Sequence, residues 1–264
     1  MPRLCVFGDE IANEISTQIE VMLSEGVRAL ELRAAEGRGV LDLDGDVRET
    51  VRAKLAAAGV EVFSIGSPLG KVDITSPFDE ELARLDRAID QAHYFGTPRI
   101  RIFSFFIPDR DWATWRDEVV RRLAAMAAVA AREGVLLCHE NESRIYGETA
   151  ANCHDLLAAV NSPALRAVHD TANFAAHDEE PLTQGYPAVR DWLEYVHIKD
   201  WRDGQAVPAG DGVGRMPELL AQLRADGFDG VLSLEPHIGG GPDNFRRAAR
   251  ALKKLLDELG WGYD

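Results

Sequence analysis

Cysteine and basic side chains are both scarce in this chain. The three cysteines, Cys5, Cys138 and Cys153, are odd in number and have no C-x-x-C spacing, which argues against a disulfide framework and for a reducing compartment. Lys and Arg number 29 against 44 Asp and Glu, a formal charge of −15. A surface of that sign repels phosphate backbones and anionic lipid, so neither nucleic acid nor a membrane is an expected partner. No apolar stretch approaches the ~20 residues of a membrane span, and Met1–Glu10 lacks the long apolar region of a signal peptide. The expectation is a soluble, cytoplasmic protein. A Gly-rich phosphate turn is also missing after the first strand-like run, where Phe7-Gly8-Asp9-Glu10-Ile11 stands instead; this disfavours a doubly wound dinucleotide-binding sheet.

With 264 residues and 46% hydrophobic content the chain can bury a full core, and its length suits one large barrel or two smaller domains. The pattern decides. Eight short aliphatic or β-branched runs read as strands: Leu4–Phe7, Ala29–Leu32, Val60–Ile65, Arg99–Phe103, Val135–Glu140, Arg166–Asp170, Tyr195–Lys199 and Gly230–Glu235. Stretches of helical period lie between them, several closing on glycine: Ser16–Leu23 before Gly26, Asp46–Ala58 before Gly59, Pro77–Phe95 before Gly96, Trp115–Glu133 before Gly134 and Pro217–Asp226 before Gly227. Eight βα units spaced near thirty residues predict an α/β fold, a single-domain (β/α)8 TIM barrel over residues 1–264, where ~250 residues is typical. No linker or low-complexity tract divides the chain. The longer insertions, Ser67–Pro77, Phe105–Thr114 and Asp200–Met216, all follow strands and belong on the face of a barrel that carries chemistry.

Four of the later runs end in a polar residue: Glu140, Asp170, His197 and Glu235. Strand ends converge on one mouth of a barrel, so three carboxylates and one imidazole meet there. One such carboxylate alone would be a water-facing strand end; four in register make a nest for a hard divalent cation, Mn²⁺ or Mg²⁺ first, with Co²⁺ or Zn²⁺ as alternatives. That points to a metal-assisted enzyme.

These residues, with Gly8–Ile11, Ser67–Lys71, Arg101–Phe105, His139–Glu142, Asp170–Phe174, His197–Asp200, Pro208–Gly212 and Leu234–His237, give the chain a resemblance to the xylose isomerase-like TIM-barrel superfamily. That group holds sugar-phosphate isomerases and epimerases and also endonuclease IV. The resemblance implies that Glu140, Asp170, His197 and Glu235 are the metal ligands and that Glu140 and Glu235 are the catalytic acid–base pair. It also implies a small polyol or sugar substrate and, at family level, a homodimer. A metal bridging a carbonyl and its neighbouring hydroxyl stabilises the enediolate left when the α-proton departs, which suits a carboxylate on each face. Two features depart from many ketose epimerases of the group. Asn173 stands where they have a histidine, and Asp203, beside Arg202, stands where they have an arginine. The metal site transfers; the sugar specificity does not. DNA repair chemistry would need a basic face and more metal-binding histidines.

Residues around the nest are substrate-binding candidates, each with a structural alternative. Lys199 shares a strand face with His197 and can meet substrate or form an ion pair. Lys71, Arg101, Glu142, Asn173, Arg202 and His237 sit at or just past strand ends, as do Asn141 and Glu10. His139 alternates with Glu140 and should point away from the pore. Glu31 and Arg33 share a face and read as a buried ion pair. Phe103, Phe105, Phe106, Trp112 and Trp115 would make an apolar wall suited to a sugar ring, with core packing the plainer reading for Phe103. Gly239–Gly241 reads as loop punctuation, or as a phosphate turn before a helix near Pro242. Metal-dependent isomerase or epimerase chemistry on a small sugar, sugar phosphate or cyclitol leads, through proton abstraction beside a carbonyl; a dehydratase or lyase acting on a keto-inositol or 3-keto-glycoside is the alternative, and a non-enzymatic sugar-binding barrel the third reading.

Overall fold

The computed structural model describes all 264 residues. Each apolar run forms a strand: β1 Arg3–Phe7, β2 Ala29–Leu32, β3 Glu61–Leu69, β4 Arg99–Ile102, β5 Leu136–Glu140, β6 Leu165–Asp170, β7 Leu193–Ile198 and β8 Val231–Leu234. All eight pair in parallel, and β1 closes the barrel by pairing Cys5 with both Ser233 of β8 and Ala29 of β2. The chain is an α/β TIM barrel. No helix is long and apolar enough to cross a membrane.

Helices occupy the periodic stretches: α1 Ile15–Ser24, α2 Gly45–Ala58, α3 Phe78–Phe95, α4 Trp112–Glu133, α5 Ala150–Val160, the short α6 Thr171–Ala175 and α7 Tyr186–Val189, then α8 Met216–Ala225 and α9 Pro242–Glu258. Gly96 and Gly134 end α3 and α4 with φ of 74° and 70°, the left-handed geometry that favours glycine. α4 starts three residues before the expected Trp115 because the Asp111 side chain accepts a hydrogen bond from the Thr114 N–H. α5 carries no glycine stop; Thr149 caps its start and Asn161 its end, in the left-handed conformation.

β3 runs four residues past the expected Ile65 and brings its last turn over the barrel mouth. Ser67 Oγ donates to the Arg101 carbonyl there. A Cβ on Gly66 would lie 3.0 Å from Arg33 Cβ, so glycine lets the Arg33 stem pass. The main core fills the space between barrel and helices. Inside the barrel a second apolar cluster of Cys5, Ala29, Phe63, Cys138, Val168, Tyr195 and Val231 forms a floor. All three cysteines are buried and free.

Candidate metal centre and active site

One step up from that floor the inward positions become polar. Strands reverse face at each residue, so side chains two apart point the same way: Cys138 leads to Glu140, Val168 to Asp170, Tyr195 to His197 and Ser233 to Glu235. The ligand atoms of Glu140, Asp170, His197 and Glu235 all lie within 4.8 Å of one another, and all four residues are buried. His197 Nδ1 is 3.1 Å from Glu140 Oε1, 3.4 Å from Glu235 Oε2 and 3.6 Å from Asp170 Oδ2.

Backbone partners fix these groups. Asp170 Oδ1 accepts from the Asn173 N–H at the start of α6, which leaves Oδ2 for the centre. Asn141, considered above as a ligand-reaching residue, instead holds the Asp170 backbone on both sides, donating to its carbonyl at 2.9 Å and accepting from its N–H at 2.8 Å. Asn173 Nδ2 donates to Glu140 Oε1 at 3.2 Å. His139 points away from the pore, with its Nε2 2.9 Å from Ser104 Oγ.

Glu31 has a different role from the ion pair with Arg33 that its spacing suggested. It is fully buried and gathers three side chains from across the barrel: Tyr195 Oη at 2.7 Å, Ser233 Oγ at 3.0 Å and His197 Nε2 at 3.2 Å. Holding Nε2 orients the imidazole so that Nδ1 faces the carboxylates, an arrangement found behind metal-binding histidines. Arg33 turns the other way and binds Asp9 (2.6 Å), Glu10 (2.8 Å) and Glu235 (2.7 Å).

The residues fit a divalent ion. Glu140 Oε2 and Asp170 Oδ2 are buried, within ion-pair reach of Arg101 (3.3 Å) and Lys199 (2.8 Å), yet receive no aligned hydrogen bond, and neither does His197 Nδ1. Buried polar atoms are seldom left so, and three carboxylates with one imidazole are donors a hard cation accepts. Burial raises the Glu140 carboxyl, but the adjacent His197 and Arg101 hold it down at about 2. Burial dominates at Asp170 and leaves it above the ordinary carboxylate value despite Lys199. At Glu235, Lys199 and the histidines overcome burial and keep the group ionised.

Above the centre opens a cavity of about 400 Å³, lined in part by Asp9, Arg33, Arg101, Glu140, Glu235 and His237. Lys71 and Glu142 also line it and pair with each other at 2.8 Å. Lys199 is buried deeper, 2.8 Å from Asp170 and 3.0 Å from Glu235. His237 is half-exposed, 3.0 Å from Glu10; burial lowers its pKa, but hydrogen bonds to Glu10 and Glu235 raise it to about 9. Arg202 does not reach the cavity: it is exposed on the hairpin Asp200–Arg202/Gln205–Val207 and donates to the Asp211 carbonyl. The aromatic wall is also displaced. Phe103 and Phe105 are core, Trp112 and Trp115 pack on that core, and Val40, Leu41 and Pro68 supply the cavity's apolar lining. Asp9, which spacing did not single out, lines the cavity because the turn after β1 lifts it over the mouth.

A 2-epi-5-epi-valiolone 7-phosphate 2-epimerase from Actinoplanes sp. is 29% identical over 195 residues, 71% of this chain and 69% of the relative. Among solved structures, a probable 3-DHS dehydratase involved in petrobactin synthesis from Bacillus anthracis superposes with a TM-score of 0.82 at 18% identity, covering 96% of this chain and 99% of the other. The 3-keto-D-glucoside 4-epimerase from E. coli superposes at 0.74 with 20% identity, covering 97% and 100%. The sequence profile of the xylose isomerase-like TIM barrel matches residues 19–255. With the closed barrel, that match over most of its length makes the chain a member of the xylose isomerase-like TIM-barrel family.

Proposed function

We propose that the chain is a divalent-metal-dependent epimerase or isomerase of a small sugar or cyclitol, working by proton abstraction beside a carbonyl. The observation that carries this is the set of three buried, unbonded atoms on Glu140, Asp170 and His197, turned with Glu235 toward one point under an open cavity. Glu140, Asp170, His197 and Glu235 would hold the ion, Mn²⁺ or Mg²⁺ by donor chemistry. When bound, it supplies Lewis-acid stabilisation of negative charge on a carbonyl and the neighbouring hydroxyl.

The protein's own groups do the rest. Glu140 ends β5 and Glu235 follows β8, non-neighbouring strands, so their carboxylates reach a bound carbon from different sides. One removes the α-proton to give an enediolate and the other returns a proton to the opposite face, which inverts the centre. Lys199 and Arg101 keep both carboxylates ionised and add positive charge where the enediolate oxygens develop. Asn173 fixes the Glu140 rotamer. Two of the compared proteins, the Actinoplanes relative and the E. coli neighbour, bear epimerase names, which supports this reading.

A dehydratase or lyase outcome has one specific observation in its favour: the half-exposed His237, cationic to about pH 9, faces the cavity and can protonate a leaving oxygen. Proton NMR in D₂O with the Mg²⁺-loaded protein separates the two, using ketoses, aldoses, keto-inositols and 3-keto-glycosides. Deuterium entering beside the carbonyl with every hydroxyl retained supports epimerase or isomerase chemistry. Loss of water or of an aglycone assigns the lyase, and no exchange with any ketone contradicts both.

A further inference from the structure

The cationic side chains facing the cavity are each held by carboxylates. Arg33 spends its guanidinium on Asp9, Glu10 and Glu235, and Lys71 is paired with Glu142. Arg101 lies between Glu140 and Glu235, and His237 between Glu10 and Glu235. Asp42 adds a further carboxylate to the lining. A phosphate group brings a charge of about −1.5 to −2 and needs several strong donors. Freeing Arg33, Arg101 or His237 for it would take a partner from the buried Glu235 at the centre, which is costly there, and freeing Lys71 would unpair Glu142 at the cavity wall.

One backbone donor of the glycine turn is already engaged. At the glycine turn before α9, the Gly241 N–H donates to the Glu10 carbonyl, and Asp243 sits in the first turn of the helix, where it opposes a second anion. Carboxylates and carbonyls at a cavity wall are, by contrast, good acceptors for the O–H groups of a polyol.

We infer that the substrate of this site is an unphosphorylated polyol ketone, an inference that rests on the proposed metal-assisted proton abstraction. The chain would then differ in ligand charge from its Actinoplanes relative, whose name carries a 7-phosphate.

Matched pairs of ketones test this: 2-epi-5-epi-valiolone against its 7-phosphate, and D-fructose against D-fructose 6-phosphate, each titrated calorimetrically into Mg²⁺-loaded protein and followed by deuterium entry. The unphosphorylated member of at least one pair should bind about tenfold or more tightly than its phosphate, since an anion placed against like charge loses more than one decade. Glu142→Gln, which releases Lys71, should narrow that ratio. Tighter binding of the phosphates, or no binding of any unphosphorylated member, overturns the inference. Exchange that fails with every ketone while the binding preference holds would sink the proton-abstraction reading and leave the charge preference standing.

Discussion

Two layers of the barrel interior, one residue pair apart on the same strands, behave as different materials. The lower layer, with Cys5, Phe63, Cys138, Val168 and Tyr195, is apolar core, and Phe63 and Tyr195 meet edge to face with centroids 5.3 Å apart. The upper layer holds Glu140, Asp170, His197 and Glu235. About 6.6 Å of strand separates them. The lower layer is mostly apolar packing and its Tyr195 hydroxyl is hydrogen-bonded, whereas the upper layer keeps three buried polar atoms without hydrogen bonds. The proposed function puts stability in the first and chemistry in the second. Glu31 joins them, because it takes one hydrogen bond from the floor residue Tyr195 and another from His197 of the upper layer.

That division can be broken from either side. The largest effect belongs to Glu140→Gln and Glu235→Gln: each should cut the rate of α-deuterium exchange by about 10²–10⁴, the usual worth of a general acid or base, with the fold retained by circular dichroism. Next is the joint between the layers. Glu31→Gln should weaken Mn²⁺ affinity by about 10–100-fold, as loss of a carboxylate behind a ligand histidine does; titration calorimetry reads this directly, and unchanged affinity would show that Glu31 is only a core acceptor.

The acid side sharpens the same contrast. Burial lowers the His197 pKa, but Glu140 and Glu31 outweigh it and raise the group above its ordinary value in the metal-free protein. A cation requires the neutral imidazole, so below that raised pKa each binding event expels a proton. Affinity should therefore fall by up to about tenfold for each pH unit lowered, since one pKa unit is a factor of ten. Binding heats in buffers of different ionisation enthalpy count the proton. The smallest effect is in the floor: Cys138→Ala should cost about 1 kcal/mol of stability, typical of a small buried deletion, and leave metal affinity untouched.

Most of this arrangement was legible in the sequence because barrel strands announce themselves twice, as apolar runs and by the polar residue that ends them. Glu140, Asp170, His197 and Glu235 each close such a run, and local spacing places them in one layer. What was not legible is non-local. Glu31 and Arg33 share parity, but their partners come from β7 and β8 for one and from the turn after β1 and Glu235 for the other. Arg202 stands one residue short of the position where related epimerases have an arginine, and a hairpin that starts at Asp200 carries it outward, with the Asp200 carboxylate gathering the N–H groups of Gly210, Gly212 and Gly214. Phe103 is core, as the plainer reading of its position has it, and packing sends Phe105 there too, so none of these aromatics lines the cavity. The end of β3 is not legible locally, because Gly66-Ser67-Pro68 reads as a loop and its extended form depends on β4.

Whether the upper layer holds a metal is read by a calorimetric titration of Mn²⁺ into chelator-stripped protein, repeated with Asp170→Asn. One ion should bind per chain, and the variant should lose about tenfold or more of that affinity. Absence of binding in the parent, or equal affinity in the variant, would contradict the account.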